Sequence, residues 1–409
     1  MRKLLRHDIF YLGLLAGIFA TLAVVLVAGV ILLWGAPWVV PFGQRPLSPQ
    51  QVSMLRWDQQ GLPVSVKIRD EKGTVAKKLS DVAFDGYHLW VTGVSTEKNI
   101  EGAVFQVDPR TYETRGTVEV GANPRGVLFD GQHIWVANRG SKSLSCIDLT
   151  KEKSVATTWE LKNSEELTAD SPYYLAFDGE HIWVTDRDAN AVWRLPADSC
   201  DRPTTDYTDT RITKINGMDF SQPLAIIFDG TYIWVANQGS NTIMRLNPDD
   251  CDVDKCTWVR IIKVSDINSQ PSNLAYDGTF VWATLKGTGE VARIHARTGL
   301  VFGKPVIGQP IRISDQPTIG NPLNETKPCS NVTEKLDGIA FDGKYIWIAS
   351  DTGWVCQLQA NDITPVSEFL APVEAFPAGS QEAAARITFD GNFVWIIITD
   401  GKASSFTRR

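Results

Sequence analysis

One ten-residue stretch, Phe228-Asp229-Gly230-Thr231-Tyr232-Ile233-Trp234-Val235-Ala236-Asn237, recurs along the chain and sets what it can fold into. The copies open at Phe84-Asp85-Gly86, Phe129-Asp130-Gly131, Phe177-Asp178-Gly179, Phe228-Asp229-Gly230, Tyr276-Asp277-Gly278, Phe341-Asp342-Gly343 and Phe389-Asp390-Gly391. A tryptophan follows each at a fixed offset: Trp90, Trp135, Trp183, Trp234, Trp282, Trp347 and Trp395. The openings are 45, 48, 51, 48, 65 and 48 residues apart. A period of about 40–50 residues with one tryptophan per copy marks a propeller, one four-stranded sheet per blade. The expected fold is all-β: a seven-bladed β-propeller with four-stranded antiparallel blades.

Each copy reads as strand, tight turn, strand. Asp-Gly supplies the hairpin turn, because glycine accepts positive φ and aspartate caps or tolerates the turn. The following strand, such as His133-Ile134-Trp135-Val136-Ala137, is apolar on both faces, as expected for a sheet covered on both sides by its neighbours. The last copy lacks room for a fourth strand, and an extra strand precedes the first copy. A segment within 51–70 is therefore expected to complete the last blade and leave the ring without an exposed edge. The propeller is assigned to 51–409, with a loop insertion at about 305–335 that carries two Asn-x-Thr sequons, Asn324 and Asn331.

Residues 9–34 contain no charge, which is long enough to span a bilayer and too long for a cleaved signal. Arg2, Lys3 and Arg6 precede the run and only Arg45 follows it closely. The expected topology is a cytoplasmic tail (1–8), a signal anchor (9–34), a Pro-containing linker (35–50) and a propeller outside the membrane, periplasmic or extracellular. The chain beyond residue 45 carries 36 basic and 46 acidic residues, a balance that excludes nucleic acid as the main partner.

The pattern Phe-Asp-Gly-x-x-Ile-Trp-Val-Ala-Asn-x-Gly-Ser-x-Thr resembles the repeats of YVTN-type propellers, and is similar to NHL propellers and the virginiamycin B lyase-like group. The resemblance covers about 80–409. It implies that the first strand of each copy lines a central channel. It also implies that the run-in to that strand and the loop after the second strand share one face, usually the binding face, with the Asp-Gly turns opposite. The lyases of that group use histidines, a glutamate and magnesium; the matching second strands here read Trp-Val-Ala-Asn or Trp-Val-Thr-Asp, without a matching histidine pair, and His295 stands apart.

His88, His133 and His181 share one slot in three copies, but Tyr232, Phe280, Tyr345 and Phe393 fill it in the others. The slot reads as a flat ring packed between blades, and neither a metal nor a cofactor is expected. Asp250, Asp252 and Asp254 lack the glycine and twelfth-position carboxylate of a calcium loop, and read as a hairpin tip.

Six cysteines permit disulfides outside the cytoplasm. Cys251–Cys256, Cys200–Cys251 and Cys329–Cys356 are the candidate pairs, with Cys146 a buried thiol.

The residues four and three before each Phe-Asp-Gly differ from copy to copy: Ser80/Asp81, Arg125/Gly126, Tyr173/Tyr174, Leu224/Ala225, Ser272/Asn273, Asp337/Gly338 and Ala385/Arg386. With the turns after the second strand they supply the expected ligand-binding set: Arg125, Arg139, Tyr173, Tyr174, Arg187, Asn237, Asn273, Lys286, Asp337 and Arg386. Arg125, Arg139, Arg187 and Lys286 could form a cationic arc for a polar or anionic ligand; the competing reading is turn residues paired with nearby aspartates. No nucleophile–base pair is visible, so no catalytic residue is assigned. The expected role is a membrane-anchored module binding a ligand or protein partner. A lyase- or hydrolase-type enzyme in the central pocket and a structural subunit of an envelope complex are the alternatives.

Overall fold

The computed structural model describes residues 64–407, apart from several short stretches and the longer ones at 202–211, 303–310, 313–335 and 361–385. The chain divides into two units, 1–46 and 47–409, and every described residue belongs to the second. The expected span at 9–34, the insertion with Asn324 and Asn331, and Cys329 lie outside the described residues. Among the described residues no helix is long and apolar enough to cross a membrane.

Among the described residues the strands assemble into seven antiparallel blade sheets and one separate two-stranded hairpin. Blade 1 runs Lys77–Phe84, Leu89–Val94, Ala103–Val107 and Thr114–Glu119. Blade 2 runs Pro124–Phe129, His133–Asn138, Ser143–Asp148 and Ala156–Glu160. Blade 3 runs Pro172–Phe177, His181–Asp186, Ala191–Pro196 and Thr213–Ile215. Blade 4 runs Pro223–Phe228, Ile233–Asn237, Thr242–Leu246 and Val259–Lys263. Blade 5 runs Pro271–Tyr276, Phe280–Leu285 and Glu290–His295, and its outer edge is shared by two short strands, Val301–Phe302 and Ile311–Arg312. Blade 6 shows Leu336–Phe341, Tyr345–Ser350 and Val355–Gln359 among the described residues. Blade 7 runs Arg386–Phe389, Phe393–Ile398 and Lys402–Thr407, and its fourth strand is Val64–Lys67 from the other end of the chain.

The first strand of every blade contacts the first strand of the next, and that of blade 7 contacts that of blade 1. Seven inner strands therefore form a closed ring.

The recurring tryptophan explains the cohesion of that ring. Seven apolar clusters fill the seven gaps between blades, including the gap between blades 7 and 1. Each repeat tryptophan packs forward, into the cluster shared with the following blade; Trp234 of blade 4, for example, lies with Val281, Ala283 and Leu285 of blade 5. All seven are at most 1% exposed, so their indole N–H groups need partners. The aspartate of the Asp-Gly turn supplies one in every copy, at 2.7–2.8 Å through its Oδ2. Its Oδ1 accepts the amides two and three residues on, as Asp229 does from Thr231 (2.8 Å) and Tyr232 (2.7 Å). The turn aspartate is thus a clasp joining hairpin to core. The following glycine holds φ between 96° and 108° in all seven copies. At Gly131 an added Cβ would meet nothing, so the residue is required for its backbone angle and not for space.

The cysteine expectations need correction. Cys146 is not a thiol: it forms a disulfide with Cys200, Cα atoms 5.7 Å apart. This removes the Cys200–Cys251 pairing. The bridge ties the third strand of blade 2 to the short 3-10 helix Ala197–Cys200 after the third strand of blade 3. The slot that Cys200 and Cys251 share misled here, because the cysteine that reaches Cys200 is Cys146, 54 residues away on the third strand of the neighbouring blade. Cys251 is also oxidised and sits opposite Cys256 in a two-stranded hairpin, Cys251–Asp252 with Lys255–Cys256. Asp252 lies on that hairpin and Asp250 ends the 3-10 helix Pro248–Asp250 before it, while Asp254 lies outside the described residues.

Candidate functional site

The two ends of the inner strands differ. At the Asp-Gly end the hydrogen bonds of the turn aspartate close within one blade. At the other end the pairing of first and second strands is interrupted by register shifts in six blades, at residues 77/81, 124/127, 172/175, 223/226, 271/273 and 336/338. Such bulges re-aim side chains, and they fall where the copies differ in sequence. The run-in to the first strand and the turn after the second meet at this end: Arg139 N donates to Asn123 O (3.2 Å), Arg187 N to Ser171 O (3.0 Å) and Lys286 N to Gln270 O (3.1 Å).

Buried threonines brace the bulges of alternate blades. Thr92 Oγ accepts the Asp81 amide (3.0 Å) and donates to the Arg125 carbonyl of the next blade (2.9 Å). Thr185 joins the Tyr174 amide (3.0 Å) to the Leu224 carbonyl (2.8 Å), and Thr284 joins the Asn273 amide (3.1 Å) to the Asp337 carbonyl (3.2 Å). Alanine holds the equivalent position in blades 2, 4 and 6: Ala137, Ala236 and Ala349.

Four blades send ionisable side chains to one place. Arg386 of blade 7 reaches across the ring, donates a hydrogen bond to the Tyr174 hydroxyl of blade 3 and stacks 4.1 Å from that ring. Arg386 is buried. Burial opposes its charge, but Tyr174, Asp337 and Asp81 together raise its pKa above the ordinary guanidinium value. Burial pushes the Asp81 carboxyl up to about 6, against the pull of Arg386 and a hydrogen bond from the Val127 amide. Burial likewise raises the Tyr174 phenol, so it stays a neutral hydroxyl. Asp337 is buried and accepts a 3.1 Å bond from Lys286 of blade 5.

Tyr173 packs edge-on against Tyr174, ring centroids 4.8 Å apart. The guanidinium groups of Arg125 and Arg139 lie 5.6 and 5.8 Å from the Tyr173 ring. Arg125 Nε and Arg386 Nε are both buried without a hydrogen-bond partner.

The structure therefore groups Arg125, Arg139, Tyr173, Tyr174, Lys286, Asp337 and Arg386. Arg139 also donates to Ser171 (2.9 Å) and pairs with Asp188 (3.4 Å). Arg187 is engaged elsewhere, by Asp188, Gln222 and Gln238. Asn237 is fully buried at the end of its strand, and the Asn273 side chain accepts the Leu274 amide at 2.9 Å. Asp186 caps the Ser171 amide (2.8 Å) and the Trp193 indole (2.9 Å) in place of pairing with a turn cation. Asp81 is at one of the variable positions but outside the expected binding set; its closeness to Arg386 appears only when the ring closes. The threonines had a readable signal, Trp-x-Thr in blades 1, 3 and 5 alternating with Trp-x-Ala in blades 2, 4 and 6. Among the described residues all four histidines lie towards the Asp-Gly ends of their strands, away from this cluster. His88, His133 and His181 form no common metal-binding group among the described residues.

A closed ring of seven antiparallel sheets, with its variable polar residues gathered where the inner strands bulge, defines a seven-bladed β-propeller. The chain matches no protein-family model and no curated protein. In structure it is similar to virginiamycin B lyase from Staphylococcus aureus (TM-score 0.57, 15% identical, covering 85% of this chain and 99% of that one). It is also similar to Kuenenia stuttgartiensis hydrazine synthase (TM-score 0.55, 16%, 81% and 96%) and to U3-55K (TM-score 0.57, 8%, 84% and 98%). Proteins with such different names share the ring, so these likenesses establish the fold alone.

Proposed function

We propose that this propeller is a binding module whose ligand, a small organic anion such as a carboxylate, enters the bulge end of the ring. The observation that carries this reading is the convergence of Arg386, Tyr174, Asp81 and Asp337 from four blades, with Arg125, Tyr173 and Lys286 beside them. Arg125, Lys286 and Arg386 outnumber the two carboxylates, and Asp81 is half protonated near pH 6. Two unpartnered guanidinium Nε groups remain to receive a ligand's oxygens. Half-exposed Tyr173 and Arg125 form the entrance, and buried Arg386 its floor.

The charge-free run at 9–34 supports anchoring in a membrane with the propeller outside. The Cys146–Cys200 bridge supports an oxidising compartment. The module then presents its ligand site, or a partner-docking face built around it, beyond the bilayer.

The test is a thermal-shift panel of short carboxylates, sugar acids and phosphates on the full-length protein in detergent. The expected result is a saturable stabilisation by at least one carboxylate that Arg125→Ala and Tyr173→Ala each weaken by tenfold or more. A panel without a hit, or hits indifferent to both substitutions, overturns the reading.

Asp81 favours a second reading, a lyase or hydrolase using that carboxyl as general acid or base, since its pKa of about 6 suits the role. Asp81→Asn separates the two: loss of turnover with binding retained supports an enzyme.

A further inference from the structure

We infer that the opposite end of blade 2 carries a divalent-metal site built from His133, Asp148 and Asp201, of the kind that takes zinc. It is independent of the central cluster.

The three offer one imidazole nitrogen and two carboxylate oxygens, all within 4.8 Å of one another. His133 and Asp148 face each other directly on neighbouring strands. Asp201 follows the 3-10 helix Ala197–Cys200 of blade 3, and Cys200 of that helix is bonded to Cys146 on the strand of Asp148. The disulfide thereby holds Asp201 beside an imidazole of another blade.

The imidazole itself points to a ligand. The His133 side chain is 6% exposed, and its Nε2 has no hydrogen-bond partner; the nearest carboxylate, Asp201 Oδ1, is 3.7 Å away. The tautomer is fixed by the other nitrogen. Asp130 accepts from the Gln132 amide (2.8 Å), the His133 amide (2.6 Å) and the Trp135 indole (2.7 Å). His133 Nδ1, 3.0 Å from the same carboxylate, must donate to it. Nε2 is thereby the nitrogen left for a metal, beside Asp201 Oδ1. A carboxylate orienting a histidine from behind is the usual outer shell of a histidine-bound metal.

Asp148 Oδ1 accepts the Thr150 amide (2.8 Å) and hydroxyl (2.6 Å), which leaves Oδ2 as its free-facing oxygen beside Lys151. Imidazole with two carboxylates suits zinc better than calcium or magnesium, which prefer oxygen alone. Ligands at zinc bond lengths stand roughly 3.4 Å apart, and half-exposed Asp201 can close the difference. Lys151 Nζ, 3.1 Å from Asp148 and itself exposed, is the native competitor for that carboxylate.

The other histidines of this slot lack the arrangement. His181 faces Pro196, and Arg194 lies against its ring at 3.1 Å. His88 is 3.7 Å from its turn aspartate.

The experiment is zinc titration of tag-free full-length protein, read by calorimetry and by the shift in melting temperature. One saturable site is expected. His133→Gln and Asp201→Asn should each weaken it by at least about tenfold, His181→Gln should not, and Lys151→Ala should tighten it several-fold. Asp201→Asn alters an exposed residue, so a folding defect in His133→Gln does not blunt the test. Absence of saturable binding, or equal affinity in wild type and Asp201→Asn, overturns the inference.

Discussion

The Asp-Gly end and the bulge end of the same seven strands solve different problems. At the Asp-Gly end every blade uses one aspartate, one positive-φ glycine and one tryptophan in the same geometry. The turn amides and the buried indole there are satisfied within the blade. At the bulge end the polar side chains differ between blades, bond across the ring, and leave donors without partners. The backbone differs as well. At the seven Asp-Gly turns the left-handed conformation falls on glycine, whereas at the bulge end it falls on residues such as Asn123, Asn190, Gln222, Asn241 and Gln270. Non-glycine residues held there store strain, which clusters at functional sites. Repetition marks what every blade needs to pack, and divergence marks where one ring differs from another.

Substitutions at the two ends sharpen the contrast. Asp229→Ala should cost the most, about 3 kcal/mol, by orphaning the Trp234 indole and two amides; urea unfolding measures it. Thr185→Val should cost about 1–2 kcal/mol in the same assay, since it strands the Tyr174 amide and the Leu224 carbonyl. Arg139→Ala, at the rim, should change stability by no more than about 0.5 kcal/mol. A cost for Arg139→Ala comparable to that for Asp229→Ala would erase the distinction between a structural end and a recognising end.

The smallest expected effect is on pH dependence. Asp81 is raised from 3.8 to about 6 in the folded protein, so the folded state binds the extra proton. Its contribution is therefore fully present below pH 4 and is lost as pH rises through 6. Melting temperature followed from pH 4 to 7 should fall less steeply in Asp81→Asn. An unchanged slope would show that Asp81 ionises normally.

Much of the fold was legible because its rule is local. Phe-Asp-Gly-x-x-Ile-Trp carries the turn and the packing residue in one short stretch, and seven copies give the blade number. Closure by Val64–Lys67 follows from a missing strand at one end and a spare strand at the other. The site was legible only as a set of positions. Arg125, Tyr173, Tyr174, Asp337 and Arg386 stand out by differing between copies, but their partners come from distant blades. The Arg386–Tyr174 bond spans 212 residues, and no spacing within a repeat announces it. The Cys146–Cys200 bridge is hidden for the same reason. His133 shows a further limit: its slot is a packing position in most copies, and only Asp148 and Asp201 around it change its character.

The most direct test of the account is a paired alanine scan of ligand affinity at the two ends, using the tightest carboxylate from the thermal-shift panel. The expected result is a loss of tenfold or more in Arg125→Ala and Tyr173→Ala, with wild-type affinity in Gln132→Ala and Thr231→Ala at exposed Asp-Gly turns. Affinity that falls with the turn substitutions and survives those at the bulge end would contradict it.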